Sequence, residues 1–461
     1  MYQIDFQSPV HIYFIGIGGI SMSGIAQILQ NRGFQISGSD SKHSAMTEAL
    51  EALGIHIFYG QKAENITDSS HIDAVVYTSA IHPDNPEYAA ALASGIPMLT
   101  RAQLLGQIMR YFKIPIAISG THGKTTTTSM ISKILLEAGT DPTLSIGGVF
   151  KDINGNTRIG HSDFFVAEAC EYTNSFLSLF PKIGVVLDID ADHLDFFKDL
   201  ADIRHSFHTF CKLVPDDGAL VINGEIEHLE EITESVKGRI ITYGMDSSND
   251  YYATDIAYDT FANASFMLHR KNGENCRITL HVPGEHNIYN AMAAIAVADL
   301  VHIEEKFIIA ALLHFTGTNR RFEYKGEVDG VTIVDDYAHH PTEITATLKA
   351  ASNYPHQSLW CVFQPHTYTR TKALLPEFAE ALSHADHIVL ADIFAARETD
   401  HLGISSRTLQ EEIRKLGHDC YYFPSFNEIE KFLLQNCTKG DLLITMGAGD
   451  VVKIGDELLG K

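Results

Sequence analysis

Three times along the chain a short apolar run is followed by a turn of small or polar residues, then by positions repeating with helical spacing. The runs are His11 to Ile15 (HIYFI), Ile114 to Ser119 (IPIAIS) and Trp360 to Phe363 (WCVF). They lead into Gly16, Gly120 and Gln364-Pro365-His366. Strand, turn and helix in alternation predict right-handed βαβ units on mainly parallel sheets. Ligands of such sheets bind beyond the carboxyl ends of the strands, where all three turns fall. The pattern restarts near Lys113-Ile114-Pro115 and near Thr316-Gly317-Thr318, dividing the chain into segments 1–114, 115–317 and 318–461. A length of 461 residues agrees with two to four domains. Tyr251 to Pro283 alternates and carries Asn272-Gly273, a hairpin signal, so an antiparallel element is expected in the middle segment.

Composition narrows the function classes. Apolar residues make up 45%, enough for sizeable cores. A net charge of −24 repels phosphate backbones and anionic lipid, so neither nucleic acid nor membrane is an expected partner. An anionic substrate would need local cations or metal. No run of 18 apolar residues suggests a membrane span, and the first ten residues lack the layout of a secretory signal. The six cysteines form no CxxC pair, which points to reduced thiols and a cytoplasmic protein.

The first turn, Gly16-Ile17-Gly18-Gly19-Ile20-Ser21-Met22-Ser23-Gly24, follows a strand and opens a helix. Glycines let the backbone approach a pyrophosphate, and the helix start supplies oriented N–H donors. A second strand ends at Gly38-Ser39-Asp40. The dinucleotide fingerprint G-x-G-x-x-G is broken by Ser21. Nucleotide-diphosphate binding, a nicotinamide cofactor and a plain tight turn all remain open for this loop.

The second turn carries more. In Ser119-Gly120-Thr121-His122-Gly123-Lys124-Thr125-Thr126, backbone amides from Gly120 to Lys124 would cradle phosphates. Lys124 would reach the β- and γ-phosphates, and Thr125 would hold magnesium. The loop is shorter than G-x-x-x-x-G-K-[ST], because Ile118 stands where the first glycine would be. Two further strand ends offer metal-type ligands: Glu168 after Phe164 to Ala167, and Asp190-Ala191-Asp192-His193 after Gly184 to Ile189. Glu168 and His193 suit a magnesium ion that keeps few protein ligands, provided their strands are neighbours.

These motifs, in this order, resemble those of the Mur ligases. The resemblance extends through Pro283 to Ala291 (PGEHNIYNA), Asn319 to Glu323 (NRRFE), Asp335 to Glu343 (DDYAHHPTE), Phe363 to Arg370 (FQPHTYTR) and Met446 to Asp450 (MGAGD). It implies a three-domain α/β protein: a Rossmann-like first domain, a central P-loop ATPase-type domain with the added antiparallel element, and a Rossmann-like third domain. It implies an ATP- and Mg2+-dependent amide-bond ligase acting through an acyl phosphate, with UDP-N-acetylmuramate and L-alanine as substrates, as a monomer or weak homodimer.

The implied roles attach to single residues. The uridine diphosphate would meet Gly16, Gly18, Gly19, Ser21, Met22, Ser39 and Asp40. ATP would meet Gly120, Thr121, His122, Gly123, Lys124, Thr125 and Thr126. Its base and ribose would lie against His286, Asn287 and Asn290, with Arg321 and Asp336 reaching from the third domain. Thr125, Glu168 and His193 would surround magnesium. Lys124 would neutralise the migrating phosphoryl group, and His366 and Arg370 would meet carboxylates near the new bond. Thr367 stands where many relatives have arginine, and Asp188 where they have asparagine. The stretch Arg204 to Phe210 offers no lysine for carbamylation.

Overall fold

The strand His11–Ile15 is buried along its whole length and lies at the centre of a parallel sheet. Gln35–Asp40 and His56–Tyr59 extend it on one side, Ala74–Tyr77 and Met98–Thr100 on the other. The computed structural model describes residues 2–461 apart from 70, 79, 272 and 397. Among the described residues three sheets form, one in each segment of the chain.

The middle sheet has ten strands. Ile114–Ser119 is at its heart, between Ile183–Val186 and Phe164–Glu168, all three parallel. Ile114 already pairs in this sheet, as the first residue of the apolar run read from the sequence. Inner strands of a parallel sheet are covered on both faces, and these read as near-continuous apolar runs for that reason. Three strands, Tyr251–Tyr258, Asn263–Arg270 and Cys276–Pro283, form the expected antiparallel extension. The first of them pairs parallel with Arg239–Gly244, so the extension is a continuation of the sheet. Asn272 of the expected turn lies outside the described residues.

One sequence expectation is corrected here. Gly184 to Ile189 reads as a single strand, but the strand ends at Val186. Leu187 N–H donates to Ser119 O, and Asp188 O accepts from Thr121 N–H. The backbone of this segment is spent on the phosphate loop, and no neighbouring strand continues beside it.

The third sheet is parallel in five strands and ends in a hairpin, in which Glu323–Val328 runs antiparallel to Val331–Asp336. Thr318 donates to Ser129 Oγ and Asn319 N–H to Val149 O, so both residues still belong to the middle domain's surface. Arg320 is the first to turn the other way, bonding Asp335 and the carbonyls of Gly447 and Gly449.

The cores are partitioned unevenly. A single apolar cluster runs from Ile4 and Phe14 of the first domain through Phe112 into Phe165, Phe207 and Ile232 of the middle domain. The third domain keeps two clusters of its own, one on each face of its sheet. Helix Ile20–Asn31 seals the first seam: Asn156 donates to Ile20 O, and a Cβ on Gly24 would overlap the Thr157 hydroxyl. No described helix is long and apolar enough to cross a membrane. All six cysteines are free.

Candidate active site between the middle and third domains

Gly123 begins helix Lys124–Glu137 with φ of +81°, where a side chain is strained. A Cβ there would also come within 2.6 Å of Asn290 Oδ1. The first helical bond is Thr127 N–H to Gly123 O, which leaves the N–H groups ahead of it without helical acceptors. Not all the amides expected to cradle phosphate are free to do so. Asp188 takes two of them, Thr121 N–H on its carbonyl and His122 N–H on Oδ1 at 2.8 Å. The anion-binding donors are therefore those nearer the helix start. Asp188, an unexplained departure in the sequence, braces the loop from behind.

Lys124 folds back across this loop. Its Nζ donates to Gly120 O at 2.5 Å and Thr121 O at 3.0 Å, and pairs with Glu171 Oε2 at 2.9 Å. Burial disfavours the ammonium, but Glu171 beside it outweighs that and holds its pKa above that of ordinary lysine. Glu171 is a residue the sequence reading missed. It follows Glu168 by three positions in a non-strand segment, and no local pattern marks it as the partner of a lysine 47 residues away.

Thr125 and Glu168 are brought together as expected: the hydroxyl donates to Glu168 Oε2 at 3.2 Å. Gly147 N–H donates to the other carboxylate oxygen at 2.6 Å. Burial raises the Glu168 pKa despite these bonds. A buried carboxylate beside a threonine hydroxyl is an oxygen donor set that fits a hard divalent cation. His193, with φ of +54°, places Nε2 3.6 Å from Glu171 Oε1 and 3.7 Å from Asp192 Oδ2. Burial lowers its pKa, which favours the neutral, ligating ring. Among the described residues one group of three His, Cys, Asp or Glu ligand atoms lies within 4.8 Å of one another: His122, Asp190 and His340. It is not the set expected from the sequence.

His286, Asn287, Asn290, Arg321 and Asp336 all line one cavity of about 410 Å3, together with His122, Gly123 and Thr126. Asn290 accepts from Thr127 Oγ1 and donates to Asn287, which donates to Pro283 O. This chain ties the helix His286–Leu300 to the phosphate-loop helix. Asp336 accepts the amides of Phe322 and Ala338, and burial lifts its pKa to about 6. His286 keeps some contact with the cavity, yet burial and then Arg321 bring its pKa down to about 4.

The third domain grips the phosphate loop directly. His122 Nε2 lies 3.3 Å from Asp190 Oδ2, and Nδ1 lies 3.2 Å from Glu343 Oε1, so one carboxylate from each domain holds the ring. Thr342 Oγ1 donates to the same Asp190 oxygen at 2.7 Å. His340 caps helix Pro341–Ser352 by accepting from Thr342 N–H, while Nε2–H reaches Ala191 O at 3.2 Å. Its neighbourhood is thus more than a turn before Pro341.

Arg370 donates to Asp192 Oδ1 from two nitrogens, each at 2.9 Å, and to His366 Nδ1 at 3.1 Å. Despite burial, Arg370 holds the Asp192 pKa well below the carboxylate range. His339 adjoins His366 with ring centroids 5.7 Å apart, edge to face.

Burial takes the His339 pKa down to about 4. A histidine protonated in the unfolded chain but neutral when folded makes stability rise with pH between those values. For His339 the window is about pH 4 to 6.5. The expected result is that His339→Asn, which keeps a donor for Tyr337 O, loses less melting temperature than the parent between pH 7 and 4.5. The free-energy gap between the two should change by at most about 1.4 kcal/mol per pH unit. Parallel losses in the two proteins would contradict a neutral buried ring.

In the first domain, Gly16 has φ of +81° and, with Ile17, donates to Ser39 O. Gly18 N–H donates to Asp40 Oδ2 at 2.9 Å. Gly19 caps the helix, and Ser21 Oγ accepts from Arg101 at 2.9 Å. Two residues of the expected set turn their side chains into the protein. Met22 and Ser39 are 1% and 0% exposed, and the Ser39 hydroxyl donates inward to Glu87. These two give the loop packing and backbone, and their side chains do not face a ligand.

The family described as Mur ligase, catalytic domain, matches residues 11–113, the Mur ligase middle domain 118–298, and the Mur ligase glutamate ligase domain 320–449. A UDP-N-acetylmuramate–L-alanine ligase of Agathobacter rectalis is 58% identical over 461 residues, covering all of both chains. One of Lachnoclostridium phytofermentans is 55% identical, again over the whole of both. Among solved structures, the UDP-N-acetylmuramate–alanine ligase of Thermotoga maritima superposes with a TM-score of 0.82 at 27% identity, covering 98% of each chain. A murein peptide ligase of Psychrobacter arcticus gives 0.73 at 26%, also covering 98% of each. With all three domains matched in order and whole-length relatives above half identity, this chain is a member of the Mur ligase family.

Proposed function

We propose that the protein joins the muramoyl carboxylate of UDP-N-acetylmuramate to the amine of L-alanine, consuming ATP, in the cytoplasmic synthesis of peptidoglycan precursors. Residues 1–114 hold the uridine diphosphate part, 115–317 hold ATP, and 318–461 close over both and position the amino acid. The observation that carries this is Lys124. It stands at the start of a helix behind a phosphate-type loop, and its loop neighbours His122, Gly123 and Thr126 line a cavity whose far wall, with Arg321, Asp336 and Glu343, is built by the third domain.

A carboxylate is a poor acyl donor because its leaving group would be oxide. Its oxygen attacks the γ-phosphorus, the bond to the β-phosphate oxygen breaks, and ADP and an acyl phosphate form. The alanine amine then attacks the acyl carbon, and phosphate leaves with the electrons of the C–O bond. Lys124 neutralises charge on the phosphoryl group in transit. Thr125, Glu168 and His193 are the residues that would hold magnesium, which would supply positive charge against the β- and γ-phosphates. Closure of the third domain through His122, Asp190 and Glu343 keeps water from the acyl phosphate. His366 and Arg370 meet the carboxylates flanking the new bond.

The test is a substrate panel scored by ADP formation. ADP should appear when UDP-N-acetylmuramate, L-alanine and Mg2+ are present together, and stop when any one is withheld. Release independent of the amino acid, or preference for a wall tripeptide over L-alanine, would overturn the assignment.

A further inference from the structure

Arg101 is placed where a cation is costly. It is the first residue of helix Arg101–Met109, whose start carries the positive end of the helix dipole. Protein surrounds the guanidinium, and the desolvation lowers its pKa. Among the described residues no carboxylate forms an ion pair with it; its hydrogen-bond partner is the neutral hydroxyl of Ser21, at 2.9 Å from NH1. A largely enclosed guanidinium with five N–H donors and no carboxylate in contact is unfavourable, since a carboxylate acting only from beyond ion-pair distance leaves most of its desolvation cost unmet.

Its position supplies a reason. Ser21 lies on the glycine loop of the first domain, at the start of helix Ile20–Asn31. Glu168 and Cys170, at the end of the strand beside the phosphate loop, are close enough to act on the charge of Arg101. The guanidinium therefore stands between the two ligand-binding turns. Part of its surface remains accessible. An anionic ligand reaching from one turn to the other would pass it, and carboxylate or phosphate oxygens match its planar fork.

We propose that Arg101 is a substrate-binding residue, which takes an anionic oxygen of the sugar nucleotide, from its pyrophosphate or its muramoyl carboxylate, as the counterion that the fold withholds. This rests on the reading of the substrate as a UDP-sugar acid. Ser21 then acts as the hinge point that fixes the direction of the guanidinium.

The test uses the full chain and calorimetric binding without ATP. Arg101→Gln should weaken UDP-N-acetylmuramate about tenfold to hundredfold, the range for a hydrogen bond to a charged group. Arg101→Lys should recover part of the loss. The melting temperature of Arg101→Gln should be unchanged or higher, because an uncompensated buried charge is gone; a structural arginine would lower it. UDP-N-acetylglucosamine, which carries the pyrophosphate without the carboxylate, separates the two oxygen sources. Equal weakening of both ligands assigns the pyrophosphate, and weakening of the muramate alone assigns the carboxylate. Unchanged affinity in Arg101→Gln, or a fall in its melting temperature with affinity intact, overturns the proposal. A parent protein that binds neither ligand removes the substrate reading and this proposal with it.

Discussion

Lys124→Ala is expected to lower turnover by about 10²–10³-fold, the loss typical when one preorganised donor to a developing charge is removed. The same change strands Glu171, whose side chain is 3% exposed and relies on Lys124 as its counterion. Leaving a buried charge unpaired costs about 3–5 kcal/mol, so the single variant should also melt early. The two effects separate in the double variant Lys124→Ala, Glu171→Gln. Neutralising Glu171 removes the unpaired charge, so stability should return while activity stays lost. Thermal melting and ADP formation on the same preparations read the two quantities. Recovery of activity together with stability would mean that Lys124 serves the fold and not the phosphoryl group.

Arg370→Ala comes next in size, with an expected fall in kcat/KM of about 10²-fold or more. Truncating one member of a buried, hydrogen-bonded charge pair across an interface costs about 2–5 kcal/mol. Arg370 and Asp192 are 10% and 8% exposed and belong to different domains. Two nitrogens of Arg370 are fixed on Asp192, and NH1 faces His366. That arrangement anchors one edge of the guanidinium across the domain interface and holds NH1 against His366 of its own domain. Arg370→Lys keeps the charge but cannot bond on two edges at once, and should recover little. Asp192→Asn distinguishes the two duties. A loss close to that of Arg370→Ala would place the effect in domain docking; a much smaller loss would place it in contact with substrate. Steady-state kinetics in each substrate give the comparison.

The elements that carry function were legible because their signals are local. A glycine with positive φ, a lysine one residue later and an apolar strand before them occupy a dozen positions, and the loop from Ile114 to Thr126 follows from those alone. Glu168 was readable for the same reason, standing at the end of an apolar run. The cavity residues His286, Asn287, Asn290, Arg321 and Asp336 rested on family resemblance, and the fold brings all five to one space.

What stayed hidden was the pairing of charges. Glu171 with Lys124, Asp192 with Arg370, and Glu343 with His122 join residues 47, 178 and 221 positions apart. Each acid looks like a solvated surface residue until tertiary packing supplies its partner. The role of Asp188 was hidden in a different way. Its carboxylate accepts His122 N–H and its carbonyl accepts Thr121 N–H, a role set by where the strand Ile183–Val186 stops. The inward turn of the Met22 and Ser39 side chains was not readable, because a loop motif records which residues form the turn, not which way each side chain points.

The shared apolar cluster has a consequence for synthesis on the ribosome. The first 113 residues include a complete five-stranded sheet, yet the apolar cluster beside it continues through Phe112 into Phe165, Phe207 and Ile232 of the middle domain. Until roughly a hundred further residues have emerged, the nascent sheet carries an unfinished greasy face, the kind of surface that chaperones bind and aggregates grow from. The C-terminal third owes no such debt, since both faces of its sheet are covered by its own helices. Translation speed between codons 114 and 232 is therefore the interval in which this chain is most exposed to misassembly.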